Sequence, residues 1–331
     1  MKAYVIHEPG AADCLILKEV PDPVAKEGQA RIKIHAFGLN RAEAVTRMGG
    51  SGKAVRFPRV IGIECVGEIM DCPGGELKVG QKVCAAMGEM GRAYDGSYAE
   101  QTVVPVSNVF PIDTHLDWIT FGAIPETYFT AWGCCFKALK LETFERPKVL
   151  VRPGASSLAI AITQIVNHLG GQVIGVTRSD HKVDRMLEVG MHHVAVSSGA
   201  IADEVLGIWP NGADGVIDTI VSEATLEDDF NIRNDRAYMC LAGSLTDSYG
   251  TAKAGSYAKA AKQPRVGYYD SGTISVKNEG PIIQKIVDRV EKGIYNPHID
   301  SVYPFEQLQE AHQKMDRNGF TGKVVINVTN A

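Results

Sequence analysis

The chain has 331 residues, with 34 Lys+Arg against 39 Asp+Glu for a net charge of −5, and 45% of its residues are hydrophobic. That length provides for about two domains of ordinary soluble composition. The acidic balance argues against a nucleic-acid partner, which needs a basic face to displace counterions, and apolar stretches of only strand length argue against a membrane-spanning helix.

Met1 to Val5 runs straight into an alternating strand and lacks the apolar core of a signal peptide. Ala30 to Phe37 alternates Ile32, Ile34 and Ala36 with Arg31, Lys33 and His35, the pattern of a half-buried strand. Val60 to Met70 carries Gly62 and Gly67 inside an apolar run, which predicts a bulged or closely approached strand. Val79 to Val83 and Gly96 to Glu100 continue the turn-and-strand texture of a compact β domain.

From about Thr120 the texture changes. Thr120 to Leu139 is a helix-length apolar segment with a break at Pro125. Lys148 to Val151 then reads as a buried strand, Ser157 to Leu169 as a helix, Gln172 to Val176 as a strand and Lys182 to Val189 as a helix. Strands follow at His193 to Val196 and Gly215 to Asp218. Strands alternating with helices predict βαβ units around a parallel sheet covered on both faces. Ser248 to Lys262, rich in Gly, Ala, Ser and Lys, reads as a mobile loop. Ile282 to Glu291 and Phe305 to Met315 read as amphipathic helices, and Lys323 to Val328 as a closing apolar strand.

Seven scattered cysteines (14, 65, 72, 84, 134, 135 and 240) include no CxxC pair and suit a reducing, cytoplasmic compartment. Cys134 and Cys135 are neighbours on a helix, about 100° apart, which is poor geometry for gripping one ion. The nine histidines form no HxxxH or HExxH pair, so no metal site is expected.

The strand Val149-Leu150-Val151 leads into Gly154-Ala155-Ser156-Ser157-Leu158-Ala159 and then a helix. This is the place of a dinucleotide-binding G-x-G-x-x-G turn, written here as G-x-S-x-x-A. Such a turn needs a tight bend, a small residue facing the pyrophosphate and a small residue where helix packs on strand; the helix N-terminus offers its free N–H groups to phosphate. The end of the second strand selects the cofactor. An NAD site places an acid there, whereas this chain has Thr177, Arg178 and Ser179 before Asp180, with Lys182 beyond, a cationic and hydroxyl-bearing set suited to the 2′-phosphate of NADPH.

With these pieces placed, the chain resembles the medium-chain dehydrogenase/reductase superfamily, and within it the zinc-free quinone oxidoreductase (zeta-crystallin-like) group. The resemblance covers nearly the whole length. It rests on Gly38 to Glu43 followed by Arg47-Met48-Gly49, on Pro58 to Gly67, Val79 to Val83, Gly96 to Glu100, Ile124 to Trp132, and Gly322-Lys323-Val324-Val325. Zinc alcohol dehydrogenases of that superfamily place a Cys where this chain has Asn40 and a His where it has Ile63, while Glu64 survives of their Gly-His-Glu run. Zinc catalysis needs three protein ligands plus an open position, and that set is not expected here.

The resemblance implies an α/β architecture: a Rossmann-type doubly wound parallel sheet domain plus a GroES-like β-rich catalytic domain. Residues 1–120 and 268–331 would form the catalytic domain and 121–267 the NADP-binding domain, with the acceptor in the cleft at the carboxyl ends of the parallel strands. It implies a homodimer paired through an edge strand, for which Tyr238 to Leu241 and Thr273 to Val276 are candidates. It implies hydride transfer from NADPH to a quinone or an α,β-unsaturated carbonyl. Asn40 could donate to the acceptor oxygen where charge develops, although Asn is also a favoured helix N-cap and Arg41-Ala42-Glu43 follows. Tyr94 and Tyr128 are the candidate proton donors. Thr130 and Lys323 join the nucleotide turn and the 177–182 segment as cofactor contacts. Two other readings stand beside this one: an enoyl-thioester reductase, and an NADPH-binding redox sensor or scaffold without turnover.

Overall fold

The structure, a computed structural model, describes residues 1–242, 262–269, 271–274 and 276–329. The chain divides into two compact units, Met1–Phe129 with Ser271–Ala331, and Thr130–Asp270, against expected boundaries at residues 120 and 268.

The first unit is built on β1 (Lys2–Val5), β2 (Ile16–Glu19), β3 (Gln29–Gly38), β4 (Glu64–Asp71), β5 (Lys82–Ala86), β6 (Gln101–Pro105) and β7 (Val109–Pro111), together with β14 (Ile299–Pro304) and β15 (Lys323–Asn327). Its seven-stranded sheet runs β14-β15-β3-β4-β5-β7, and β6 pairs with β3. The alternation read in Ala30 to Phe37 holds at Ile32 and Ile34, which enter a core with Phe37, Cys65, Ile69, Tyr98, Leu308 and Ile326. The expected close approach in β4 occurs at Gly67, where a Cβ would lie 1.9 Å from the carbonyl of Lys33. Gly96 to Glu100 is not a strand; β6 begins one residue later. The unit also holds α1 (Arg41–Arg47), α2 (Trp118–Gly122) and the start of α3 (Pro125–Trp132), where Pro125 takes a first-turn position that needs no N–H donor.

The second unit is a six-stranded sheet in the order β10-β9-β8-β11-β12-β13, parallel throughout. Its strands are β8 (Lys148–Arg152), β9 (Gln172–Thr177), β10 (His193–Val196), β11 (Ala213–Asp218), β12 (Arg233–Ala242) and β13 (Val266–Tyr269), connected through α4 (Ser157–His168), α5 (Val183–Glu188), α6 (Ala202–Ile208) and α7 (Glu223–Ile232). This is the doubly wound order, with its switch point between β8 and β11. The edge-strand expectation needs correction. Tyr238 to Leu241 lies in β12, between β11 and β13, and Thr273 ends a 3₁₀ turn; among the described residues the sheet edges are β10 and β13. Apart from Lys262, the expected mobile loop at 248–262 lies outside the described residues. Cys134 and Cys135 fall in a π-helical turn, Gly133–Ala138, and all seven cysteines are free thiols.

Candidate functional site

In the first unit, three strand ends and a helix N-terminus converge. Asn40 lies two residues past β3, Glu64 opens β4, Lys323 opens β15, and Thr127 lies in the first turn of α3. Lys323 Nζ donates to Glu64 Oε1 at 2.7 Å, to Asn40 Oδ1 at 2.7 Å and to Thr127 Oγ1 at 2.9 Å. Asn40 Nδ2 donates to the same Glu64 Oε1 at 2.8 Å, and Glu64 Oε2 accepts from the Glu126 N–H at 2.8 Å, where a carboxylate also meets the positive end of α3. Glu64, Lys323 and Thr127 are buried, and Asn40 is the half-buried member. A cation and a carboxylate can share this interior because each neutralises the other and their remaining bonding capacity is filled. Gly38 makes the room: a Cβ there would lie 2.1 Å from Lys323 Cε.

Beside this cluster, Glu43 Oε2 accepts from the Asn40 N–H at 2.7 Å and Oε1 from the Ile63 N–H at 2.9 Å, so one side chain ties together the residues that precede α1 and β4. Burial outweighs these donors and pushes Glu43 up to about 7. Tyr98 lies beside Glu43, and its hydroxyl is 2.8 Å from His312 Nε2. Burial, then the charges of Arg47 and Arg41, pull His312 down to about 3 from its usual 6.5.

A pH dependence follows. Below pH 6.5 the unfolded chain binds a proton that the folded His312 refuses, so stability falls as pH drops towards 3, by about 1.4 kcal/mol per pH unit. Glu43 acts oppositely, because the folded chain keeps its proton from 4.5 up to about 7 and loses that stabilisation as pH rises. Substituting His312→Gln removes only the first effect. Urea midpoints measured between pH 4.5 and 6 are expected to show the stability of wild type relative to H312Q rising with pH at about 1.4 kcal/mol per unit; a constant gap would refute the assignment.

The Tyr94 hydroxyl donates to the Gly88 carbonyl at 3.0 Å, and burial raises its pKa. Tyr128 is buried and stacked on Tyr295 with ring centres 5.8 Å apart, and burial raises its hydroxyl pKa as well. Lys323, expected at the cofactor, has its three N–H bonds spent inside the cluster. Glu43 and Thr127 were not singled out from sequence. The available signal was a lysine opening the apolar strand Lys323–Asn327, which must find a buried anion.

In the second unit, the nucleotide turn leaves the end of β8 at the switch point. Gly154 N–H donates to the Val176 carbonyl at 2.7 Å, and a Cβ on Gly154 would lie 2.8 Å from both Gly175 Cα and Val176 N, so the turn lies directly on β9. Ser156 caps α4: its Oγ accepts from the Ala159 N–H at 3.1 Å and donates to the Pro153 carbonyl at 3.0 Å. The Ser156 hydroxyl, expected as a pyrophosphate contact, is thus committed to the protein. Ser157 and Leu158 stand half-buried in the first turn of the twelve-residue α4, whose dipole favours an anion at this end. Ala159 is fully buried. At the end of β9, Thr177 Oγ1 accepts from the Ser179 N–H at 3.2 Å, which shapes the turn that leaves Arg178 exposed. Thr130 is the first residue of this unit and is buried. A tight turn leading into a helix N-terminus is what the pyrophosphate of a nicotinamide dinucleotide requires, and this unit carries both.

Among the described residues no group of three or more His, Cys, Asp or Glu side chains could hold a metal ion, and no helix is long and apolar enough to cross a membrane. An alcohol dehydrogenase GroES-like domain model matches residues 26–114, and a zinc-binding dehydrogenase model matches residues 189–326. A quinone oxidoreductase of Mus musculus is 26% identical, over 98% of this chain and 97% of its own. The synaptic vesicle membrane protein VAT-1 homolog-like of Mus musculus is 23% identical, over 99% of this chain and 81% of its own. The fold is shared with the Escherichia coli quinone oxidoreductase complexed with NADPH, at a TM-score of 0.84 and 18% identity, over 99% of this chain and 100% of that one.

Proposed function

Because this chain belongs to the medium-chain dehydrogenase/reductase superfamily, with quinone oxidoreductases among its relatives, we propose that it is a zinc-independent reductase that uses NADPH to reduce a quinone or an α,β-unsaturated carbonyl. The carrying observation is the composition at Asn40. The position at which the resemblance implies a zinc ligand is an amide bonded to a buried lysine and glutamate. The cofactor would lie on the Gly154–Ala159 turn with its 2′-phosphate at Thr177, Arg178, Ser179 and Lys182, and Thr130 would meet the nicotinamide end. When bound it supplies the hydride, two electrons and one proton. The chain's own share is to donate from Asn40 to the acceptor oxygen as negative charge builds there. The second proton comes from water. Tyr94 and Tyr128, the earlier donor candidates, are both made weaker acids by burial, which favours a quinone, whose reduced anion takes its proton from solvent, over an enone that needs a placed acid at carbon. A second copy would pair at β13, an edge of the sheet among the described residues.

The test is loss of NADPH absorbance with an ortho-quinone, an enone aldehyde and an enoyl thioester, run in parallel with NADH. Turnover of the quinone, with NADPH preferred, supports the reading, and turnover of the thioester alone replaces it with an enoyl-thioester reductase. Ser156 and Ala159, which stand where a dinucleotide turn carries glycines, motivate a second reading, an NADPH-binding sensor or scaffold without turnover. Binding of NADPH with no acceptor consumed would establish that one. For the phosphate subsite, Arg178→Ala with Lys182→Ala is expected to raise the NADPH dissociation constant by about 10- to 100-fold, the value of one or two charge-assisted bonds, with NADH little changed. Equal losses for both cofactors would remove the assignment.

A further inference from the structure

We propose that Lys323 is a positioning residue, which with Glu64 and Thr127 locks the amide of Asn40 in one orientation and so presents its second Nδ2–H as a pre-set donor to the acceptor. This rests on the reductase reading above.

The argument begins with which atoms can donate. An ammonium has three donors and no acceptor, and an ionised carboxylate has acceptors alone. The amide of Asn40 lies between one of each: Lys323 Nζ is 2.7 Å from one amide atom, and Glu64 Oε1 is 2.8 Å from the other. The first atom must therefore be oxygen and the second nitrogen, since a flipped amide would set N–H against N–H and oxygen against oxygen. Amide orientation, commonly ambiguous, is here dictated by chemistry.

The two partners are themselves fixed. Lys323 is 2% exposed and its third N–H goes to Thr127 Oγ1 at 2.9 Å. Glu64 is fully buried, and its far oxygen holds the Glu126 N–H. The lysine stem runs through the space that Gly38 leaves open, where a Cβ would lie 2.1 Å from Cε. Glu43 holds the Asn40 backbone from the other side. Main chain and side chain of Asn40 are thus both anchored, while the residue stays half-buried rather than sealed in. An amide nitrogen has two N–H bonds, and Glu64 takes one. A donor already aimed costs no reorganisation during reaction, and a misplacement of about 1 Å typically loses about 100-fold in rate.

The experiment uses the full chain with selectively ¹⁵N-labelled asparagine, the Asn40 side-chain signal being assigned by its loss in Asn40→Ala. The wild type is expected to show two unequal Nδ2 protons, one slow to exchange and one fast. Lys323→Met leaves Glu64 as an uncompensated buried charge and can fail to fold, so the double variant Lys323→Met/Glu64→Gln, which removes both charges, is made beside it. In whichever of these folds, the two protons are expected to become equivalent in exchange. With the ortho-quinone, kcat should fall about 100-fold while the dissociation constant for NADPH stays within about twofold. Retention of kcat within twofold in the double variant overturns the proposal. A loss of NADPH affinity that matches the loss of kcat also overturns it, because Lys323 would then act on the cofactor. Absence of wild-type turnover with every acceptor refutes the reductase reading, and in that event equivalent Nδ2 protons in the wild type would separately refute the locked amide.

Discussion

Replacing Arg152 with alanine is expected to destabilise the protein by about 3–5 kcal/mol, the usual cost of stranding buried charge. Arg152 ends β8 and is 2% exposed, and it is surrounded by Asp228, Asp229 and Asp218, all buried. One guanidinium nitrogen lies 2.8 Å from Asp228 Oδ2 and 2.6 Å from Asp229 Oδ1. Asp228 also accepts from the Ile201 and Ala202 N–H groups, and Asp218 from those of Ile220 and Val221. Asp229 has no such donors; burial, with Asp218 and Asp228 close by, raises its pKa far above the usual carboxylate range even beside the arginine. Without the guanidinium, the remaining charges have only protonation as an escape. The damage should therefore shrink in acid. In the variant the aspartates fold with raised pKa values, so the penalty is absent below the unfolded value and grows as pH rises. Urea unfolding of R152A at pH 7.5 and pH 4.5 checks both features. A loss under 1 kcal/mol at pH 7.5, or a gap that widens in acid, would contradict this account.

The same cluster shows why part of the fold was legible in sequence and part was not. The helix Ser157–His168 and the strand Gln172–Thr177 repeat apolar residues at helical and strand spacing, and both were readable because the buried face is apolar. The helix Glu223–Ile232 was missed for the opposite reason. Its buried face carries Asp228 and Asp229 beside Leu226 and Ile232, and carboxylates that pair with a distant arginine look like a solvated surface in one dimension. The candidate site divides likewise. The nucleotide turn is contiguous, so its glycine and serines could be placed by motif. The partnership of Glu64 with Lys323 spans 259 residues, and no local pattern connects them. Asn40 was readable as a candidate, but the bonds that orient it depend on β15 meeting β3, a pairing of the last strand with the third.

Adding one methyl group at Gly154 is expected to impair both fold and cofactor binding. A Cβ there would lie 2.4 Å from the flexible end of Met186 and 2.8 Å from backbone atoms of Gly175 and Val176. Methionine can yield, but a strand inside a parallel sheet cannot, so the turn must lift off β9. Overpacking of this kind costs about 1–3 kcal/mol. Lifting the turn also breaks the Gly154 bond to Val176 and shifts the start of α4 from the end of β9, where Thr177 and Arg178 lie. Gly207→Ala serves as the control. It adds a methyl to exposed α6 with nothing within 4 Å, and is expected to stabilise by about 0.5–1 kcal/mol through helix propensity. Titration of both variants with NADPH and NADH then separates turn from phosphate subsite. The turn would meet the pyrophosphate common to both dinucleotides, so Gly154→Ala should weaken both by a similar factor, at least about 10-fold, given the sensitivity of such contacts to displacement. The double substitution at Arg178 and Lys182 should weaken NADPH alone. If Gly154→Ala binds both cofactors as wild type does, the pyrophosphate lies elsewhere, and the glycine serves only the packing of β8 against β9.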